Sequence, residues 1–143
     1  MVCNHRLTFA FTAAVLAVLL APPVLAESYK VSQFHYFNNG EYESCPEVVW
    51  TDDSGRQQVS RPDYCVKRSH TTTLNFDELD NPPPAGTEVW LQLRIVFGDV
   101  ESCRTSEATF HYDPGGERAK FRTDGTPLDR NRCKLTCEDC KAK

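Results

Sequence analysis

An apolar run near the start of the chain decides the compartment in which everything after it folds. Residues 7–20 are predominantly apolar and follow a short start whose one Lys/Arg cation is Arg6; Ala21-Pro22-Pro23-Val24-Leu25-Ala26 then leads into the polar Glu27. Val24 and Ala26 occupy the two positions at which a signal peptidase requires small side chains, so the pattern predicts a cleaved export signal over 1–26 and one domain over 27–143. The run falls short of the about 20 apolar residues that span a bilayer, and no charged stop follows it. A lipid anchor would place a cysteine where Glu27 stands. The expected location is therefore secreted, extracellular or periplasmic, without stable membrane insertion.

That address gives the cysteines their meaning. The chain has seven, and Cys3 leaves with the signal. The even set that remains (Cys45, Cys65, Cys103, Cys133, Cys137 and Cys140) reads as a disulfide framework, because thiols pair and persist where the surroundings are oxidising. Six cysteines allow fifteen pairings, among which sequence alone does not choose. A Cys45–Cys65 bridge would close a local loop around a hairpin, leaving Cys103 to one of the three tail cysteines, with Cys133 preferred. The tail has two other conceivable uses, and its residues suit neither. A redox dithiol at Cys137-Glu138-Asp139-Cys140 would have its thiol pKa raised by the two acids between the sulfurs. A zinc site would need His35, His70 or His111 as a fourth ligand, and no second ligand pair at zinc spacing is present. Neither a metal nor a cofactor is expected.

Two-residue alternation dominates residues 27–143. Residues 29–37 alternate with aromatic and β-branched content, Asn38-Asn39-Gly40 is a turn, and residues 47–51 and 56–60 form a hairpin about Asp52-Asp53-Ser54-Gly55. Residues 71–76 make another strand, and the prolines Pro82-Pro83-Pro84 enforce an extended connection. The clearest strand covers 88–97, with Val89, Leu91, Leu93, Ile95 and Phe97 on one face. Strands over 107–112, 119–123 and 128–135 follow, the last two joined at Asp124-Gly125. The expected fold is all-β: a small antiparallel β-sandwich of about seven or eight strands stapled by disulfides. Its core should contain Leu91, Leu93, Ile95, Phe97, Phe110, Phe121 and one of the two tryptophans.

Reactive motifs are sparse. His35, His70 and His111 are the general acid–base candidates, and Glu107 shares the face of His111 only at about 13 Å along a strand. No Gly-x-Ser-x-Gly and no phosphate loop is present. The acids Asp52-Asp53, Asp77-Glu78 with Asp80, and Asp99 with Glu101 lack the ligand spacing of a calcium loop and read as turn residues. Trp90, Trp50 and Tyr112 could offer flat faces to a sugar. The formal net charge is −4, one unit more acidic without Arg6, and no run of cations interrupts it; nucleic acid is not an expected partner. These readings favour an exported, non-enzymatic binding protein with a protein or glycan partner, whose contacts would come from loops on a rigid sheet. A small secreted hydrolase such as a nuclease, using the histidines, and a structural envelope or extracellular role are the alternatives. Sequence alone identifies neither the partner nor the oligomeric state.

Overall fold

The computed structural model describes residues 26–136; the expected signal up to Leu25 and the tail cysteines Cys137 and Cys140 lie outside the described residues. The strands are β1 (Glu27–Asn38), β2 (Ser44–Thr51), β3 (Gln57–Ser60), β4 (His70–Asn75), β5 (Glu88–Ile95), β6 (Val100–Ser102), β7 (Ala108–Tyr112), β8 (Glu117–Asp124) and β9 (Arg132–Leu135), with one 3₁₀ turn at Phe76–Glu78. The protein is all-β, as the alternation demands. The antiparallel sandwich of seven or eight strands is corrected: the nine strands form one open mixed sheet in the order β3-β2-β5-β7-β1-β8-β9, with β4 also beside β1 and β6 beside β5.

The mixed character originates in β1. Its first half, Glu27 to Val31, pairs in parallel with β7, and its second half pairs in parallel with β8 and antiparallel with β4. The two halves meet at a register shift between Val31 and Gln33, where a bulge bends the strand and increases its twist. Because β7 and β8 lie on opposite edges of β1, the turn between them must cross that strand. Asp113 N–H donates to the Val31 carbonyl (2.9 Å), and the Ser32 hydroxyl donates to the Gly116 carbonyl (2.9 Å). A Cβ on Gly116 would stand 2.6 Å from the Val31 nitrogen and 2.7 Å from its carbonyl carbon, so only glycine fits the crossing.

The bend divides the sheet into a first wing (β3, β2, β5, β6, β7) and a second (β4, β8, β9, with the latter half of β1), whose apolar faces share one core. Phe34 is its hub, packed edge-on against Phe76, Phe110 and Phe121 at ring separations of 4.8, 5.9 and 5.3 Å. A buried polar knot closes one end. The Tyr36 hydroxyl bonds Ser44 Oγ (2.6 Å) and Thr123 Oγ1 (2.8 Å), while the Asn38 amide donates to the carbonyls of Tyr42 and Val66.

Both disulfides among the described residues follow the preferred pairing. Cys45–Cys65 has its Cα atoms 4.1 Å apart and ties β2 to the loop before β4; Cys103–Cys133, at 5.1 Å, ties the segment after β6 to β9 and so joins the wings. Closing loops of 20 and 30 residues contributes about 3 kcal/mol apiece by restricting the unfolded chain.

Two core expectations are corrected. Phe97 is 94% exposed, because β5 ends at Ile95 and residues 96–99 form the turn into β6, with Phe97 at a φ of 60°. Both tryptophans are buried, rather than one.

Gly116→Ala should lower unfolding stability by more than about 1 kcal/mol. Gly115→Ala, whose Cβ would meet only Asp113 Oδ1 at 3.6 Å, should stay within about 0.5 kcal/mol of the parent. Urea unfolding of the two variants compares them directly.

Candidate functional site: a cationic sheet face

Strand alternation gives β8 two faces of opposite character. Ala119, Phe121 and Thr123 enter the core, so Arg118, Lys120, Arg122 and Asp124 point outward. β9 repeats the division: Cys133 and Leu135 pack against the core while Arg132 and Lys134 are exposed. Register then brings the outward residues together, with Arg122 opposite Lys134 and Asp124 opposite Arg132. On the other edge of β8, Arg118, Lys120 and Arg122 lie beside Gln33, His35 and Phe37 of β1, and β4 adds Thr73 and Thr71 beyond them. Asp124 stands among these cations, and the other carboxylates of the four strands, Glu27 and Glu117, are exposed at the starts of β1 and β8.

Local contacts organise the cations. The Asn39 amide donates to Asp124 (2.6 Å), and Arg122 (3.2 Å) and Lys134 (4.0 Å) pair with it. These groups, Asn39 first, hold the Asp124 carboxyl below its usual range, so it is ionised and fixes the two cations. The Arg122 guanidinium also lies over the Phe37 ring at 5.8 Å. A cleft of about 380 Å³, lined by Asp124, Gly125, Arg130, Arg132 and Lys134, continues the positive strip beyond the hairpin end.

The expected acid–base residues are dispersed. His35 belongs to this face: its Nδ1 lies 3.0 Å from Thr73 Oγ1, and burial, then the charges of Arg118 and Lys120, hold its pKa below the ordinary value. His70 starts β4, its Nδ1 2.8 Å from the Arg68 carbonyl. His111 lies on β7 with its Nδ1 3.2 Å from Ser28 Oγ; its cross-strand neighbour Glu88 is held by Arg104 at 2.6 Å. Glu107 precedes β7 and lines a cleft of about 560 Å³ with Arg104, Ser106 and Lys134. A third cleft, of about 250 Å³, lies between residues 61–64 and 73–80. None of these three clefts is lined by a histidine. No group of three or more His, Cys, Asp and Glu side chains that could hold a metal ion occurs among the described residues.

The aromatic candidates are enclosed. Trp50 lies in the core, and Trp90 is 8% exposed with the Arg104 guanidinium 4.5 Å above its ring. Tyr112 is buried and donates a hydrogen bond to Asp77, which pushes its phenol up to about 12. Around Glu47, itself 5% exposed, Arg61 (3.4 Å), Arg94 (3.7 Å) and the Gln92 amide (3.1 Å) close the outer surface of β2 and β5. Sequence reading missed the cationic face because each cation is separated from the next by a core residue. The i, i+2, i+4 spacing of Arg118, Lys120 and Arg122, read against strand parity, is the signal that could have found it.

No protein-family model and no curated protein sequence matches the chain. Solved structures distantly similar in fold include pneumolysin (11% identity over 76% of this chain and 24% of that one, TM-score 0.42), the human-specific toxin intermedilysin (14%, 73% and 23%, 0.42) and listeriolysin O (10%, 76% and 22%, 0.41). This chain spans less than a quarter of each of them. At that level the likeness says nothing of function.

Burial likewise pushes the Tyr36 phenol up to about 12, against the opposing effect of the Ser44 and Thr123 hydroxyls. Both phenols therefore ionise above the ordinary value of about 10. A raised folded-state pKa contributes stability that is complete below pH 10 and lost as pH rises toward 12. Chemical unfolding at stepped pH should show that decline, and Tyr112→Phe should reduce it while costing about 1–2 kcal/mol at pH 7.

Proposed function

We propose that this chain is an exported, non-enzymatic binding protein. Its scaffold is sandwich-like, two packed wings crosslinked by cystines, and its partner is engaged on the outward face of β1, β8 and β9. The observation that carries the reading is the separation of charge: a chain of formal net charge −4 gathers Arg118, Lys120, Arg122, Arg132 and Lys134 on one face. Such an arrangement focuses potential toward a complementary partner and speeds encounter. Export supports it. The Cys45–Cys65 and Cys103–Cys133 bonds are of the kind that persist in an oxidising compartment, and the sequence of residues 1–26 has the form of a cleaved leader. The dispersal of His35, His70 and His111 argues for binding rather than turnover, since general acid–base work needs the proton-transfer groups within reach of one reacting atom.

Protein recovered from the exported fraction should begin at Glu27, bind at least one member of a protein and glycan panel saturably, and turn over no nucleic acid, ester or glycoside substrate. Turnover that disappears in His35→Ala, His70→Ala or His111→Ala would replace this reading with a hydrolase.

A further inference from the structure

We infer that the outward face of β1, β8 and β9 takes a linear acidic polysaccharide, whose carboxylates or sulfates seat on Arg122, Lys134 and Arg132. This assignment rests on the reading of the chain as a binding protein and names its ligand.

Three features of the face select that chemistry. The first is its spacing: outward residues recur about every 7 Å along a strand and stand about 5 Å from their cross-strand partners. Arg122, Lys134 and Arg132 thus form an open two-row array across β8 and β9, which suits a polymer carrying repeated charges better than one small anion enclosed in a pocket. The basic cleft at Gly125, Arg130 and Arg132 extends that track past the hairpin end. Guanidinium groups also match carboxylate and sulfate oxygens with paired hydrogen bonds.

The second is the orientation of the cations. Asp124, ionised and anchored by Asn39 at 2.6 Å, pairs with Arg122 and Lys134 and acts as a positioning residue. Both cations keep about half of their side-chain surface in solvent (46% and 58%), available to a second anion.

The third is what surrounds them. Gln33 of β1 and, on the adjoining β4, Thr71 and the His35-bonded Thr73 place amide and hydroxyl groups on the same side of the sheet, the partners that sugar hydroxyls require. A single-stranded nucleic acid would need open aromatic rings for its bases to stack on; the aromatic of this face, Phe37, is half-buried with Arg122 over it. A lipid surface would need bulky apolar side chains beside the cations. The two most exposed, Phe97 and Leu128, stand in loops that meet at Gly98 and Pro127, at the hairpin end rather than along the two-row array, so vesicle binding is a direct arm of the test.

The test is titration of the purified full chain with heparin, polygalacturonate, neutral dextran, single-stranded DNA and vesicles containing anionic phospholipid. Saturable binding to heparin and polygalacturonate is expected, weakening steeply with salt, with none to dextran. The double variant Arg122→Glu/Lys134→Glu should lose at least tenfold in affinity, and Arg132→Ser severalfold. Arg56→Glu, a single charge reversal in the exposed β2–β3 turn, should remain within about twofold. Far-ultraviolet circular dichroism establishes that each variant is folded. Failure to bind either acidic polysaccharide, equal affinity in the charge-reversed variant, or tighter binding to DNA or vesicles would overturn the assignment. Binding to a protein or a neutral glycan, without acidic polysaccharide, would overturn it while leaving the binding-protein reading intact; turnover without binding would remove both.

Discussion

The crossing of the β7–β8 turn over β1 is the constraint on which the rest of this architecture depends. A strand that is parallel to two others, on opposite edges, obliges the connecting segment to pass over its backbone at van der Waals distance. Gly116 makes that passage possible, and the register shift between Val31 and Gln33 provides the bend beneath it. Without the bend, one continuous sheet would leave its apolar faces turned to water. With it, Phe110 and Tyr112 of the first wing meet Phe34, Phe76 and Phe121 of the second. The Cys103–Cys133 bond then ties the two wings at the side where β9 would otherwise be a short free edge.

Unequal covering of the two wings decides where chemistry can be displayed. β2 is buried along nearly its whole length and β5 along most of its own. Their second face is enclosed by Arg104 over Trp90 and by the arginines and Gln92 around Glu47. A buried carboxylate is tolerated there because those partners replace the water it loses. The second wing alternates instead, with a core side and a solvent side, so its outward positions carry residues that burial does not constrain. Cations occupy them, in a molecule that is acidic overall.

Much of the plan could be read from the residues alone. Alternation located β1, β2, β3, β4, β5, β7 and β8 to within a few residues, and the placing of Cys45 and Cys65 around one hairpin matched the bond they form. The three-residue β6 escaped, being too short for a period to register. Phe97 misled because it continues the parity of Val89, Leu91, Leu93 and Ile95; a turn at residues 96–99 reverses the chain before that parity applies. Trp90 sits on the more polar side of its strand yet is covered, since what lies above a strand is supplied by distant segments, here Arg104.

The amino-acid order by itself determined the strand-forming segments, the face each side chain takes within an unbroken strand (β1 departs from it, its register shift putting Val31 in the core with Phe34 and Tyr36), and the cysteine content of an oxidised scaffold. All of these are local: a period of two and a stretch of composition suffice. Only the tertiary structure decided that β1 runs parallel to β7 and β8, that two wings share one core, and that Arg118, Lys120 and Arg122 stand beside Arg132 and Lys134. Strand neighbours are chosen by the packing of residues far apart in the chain, through the loop crossings that sterics permit. A period of two says which way a side chain points and nothing about what it will face.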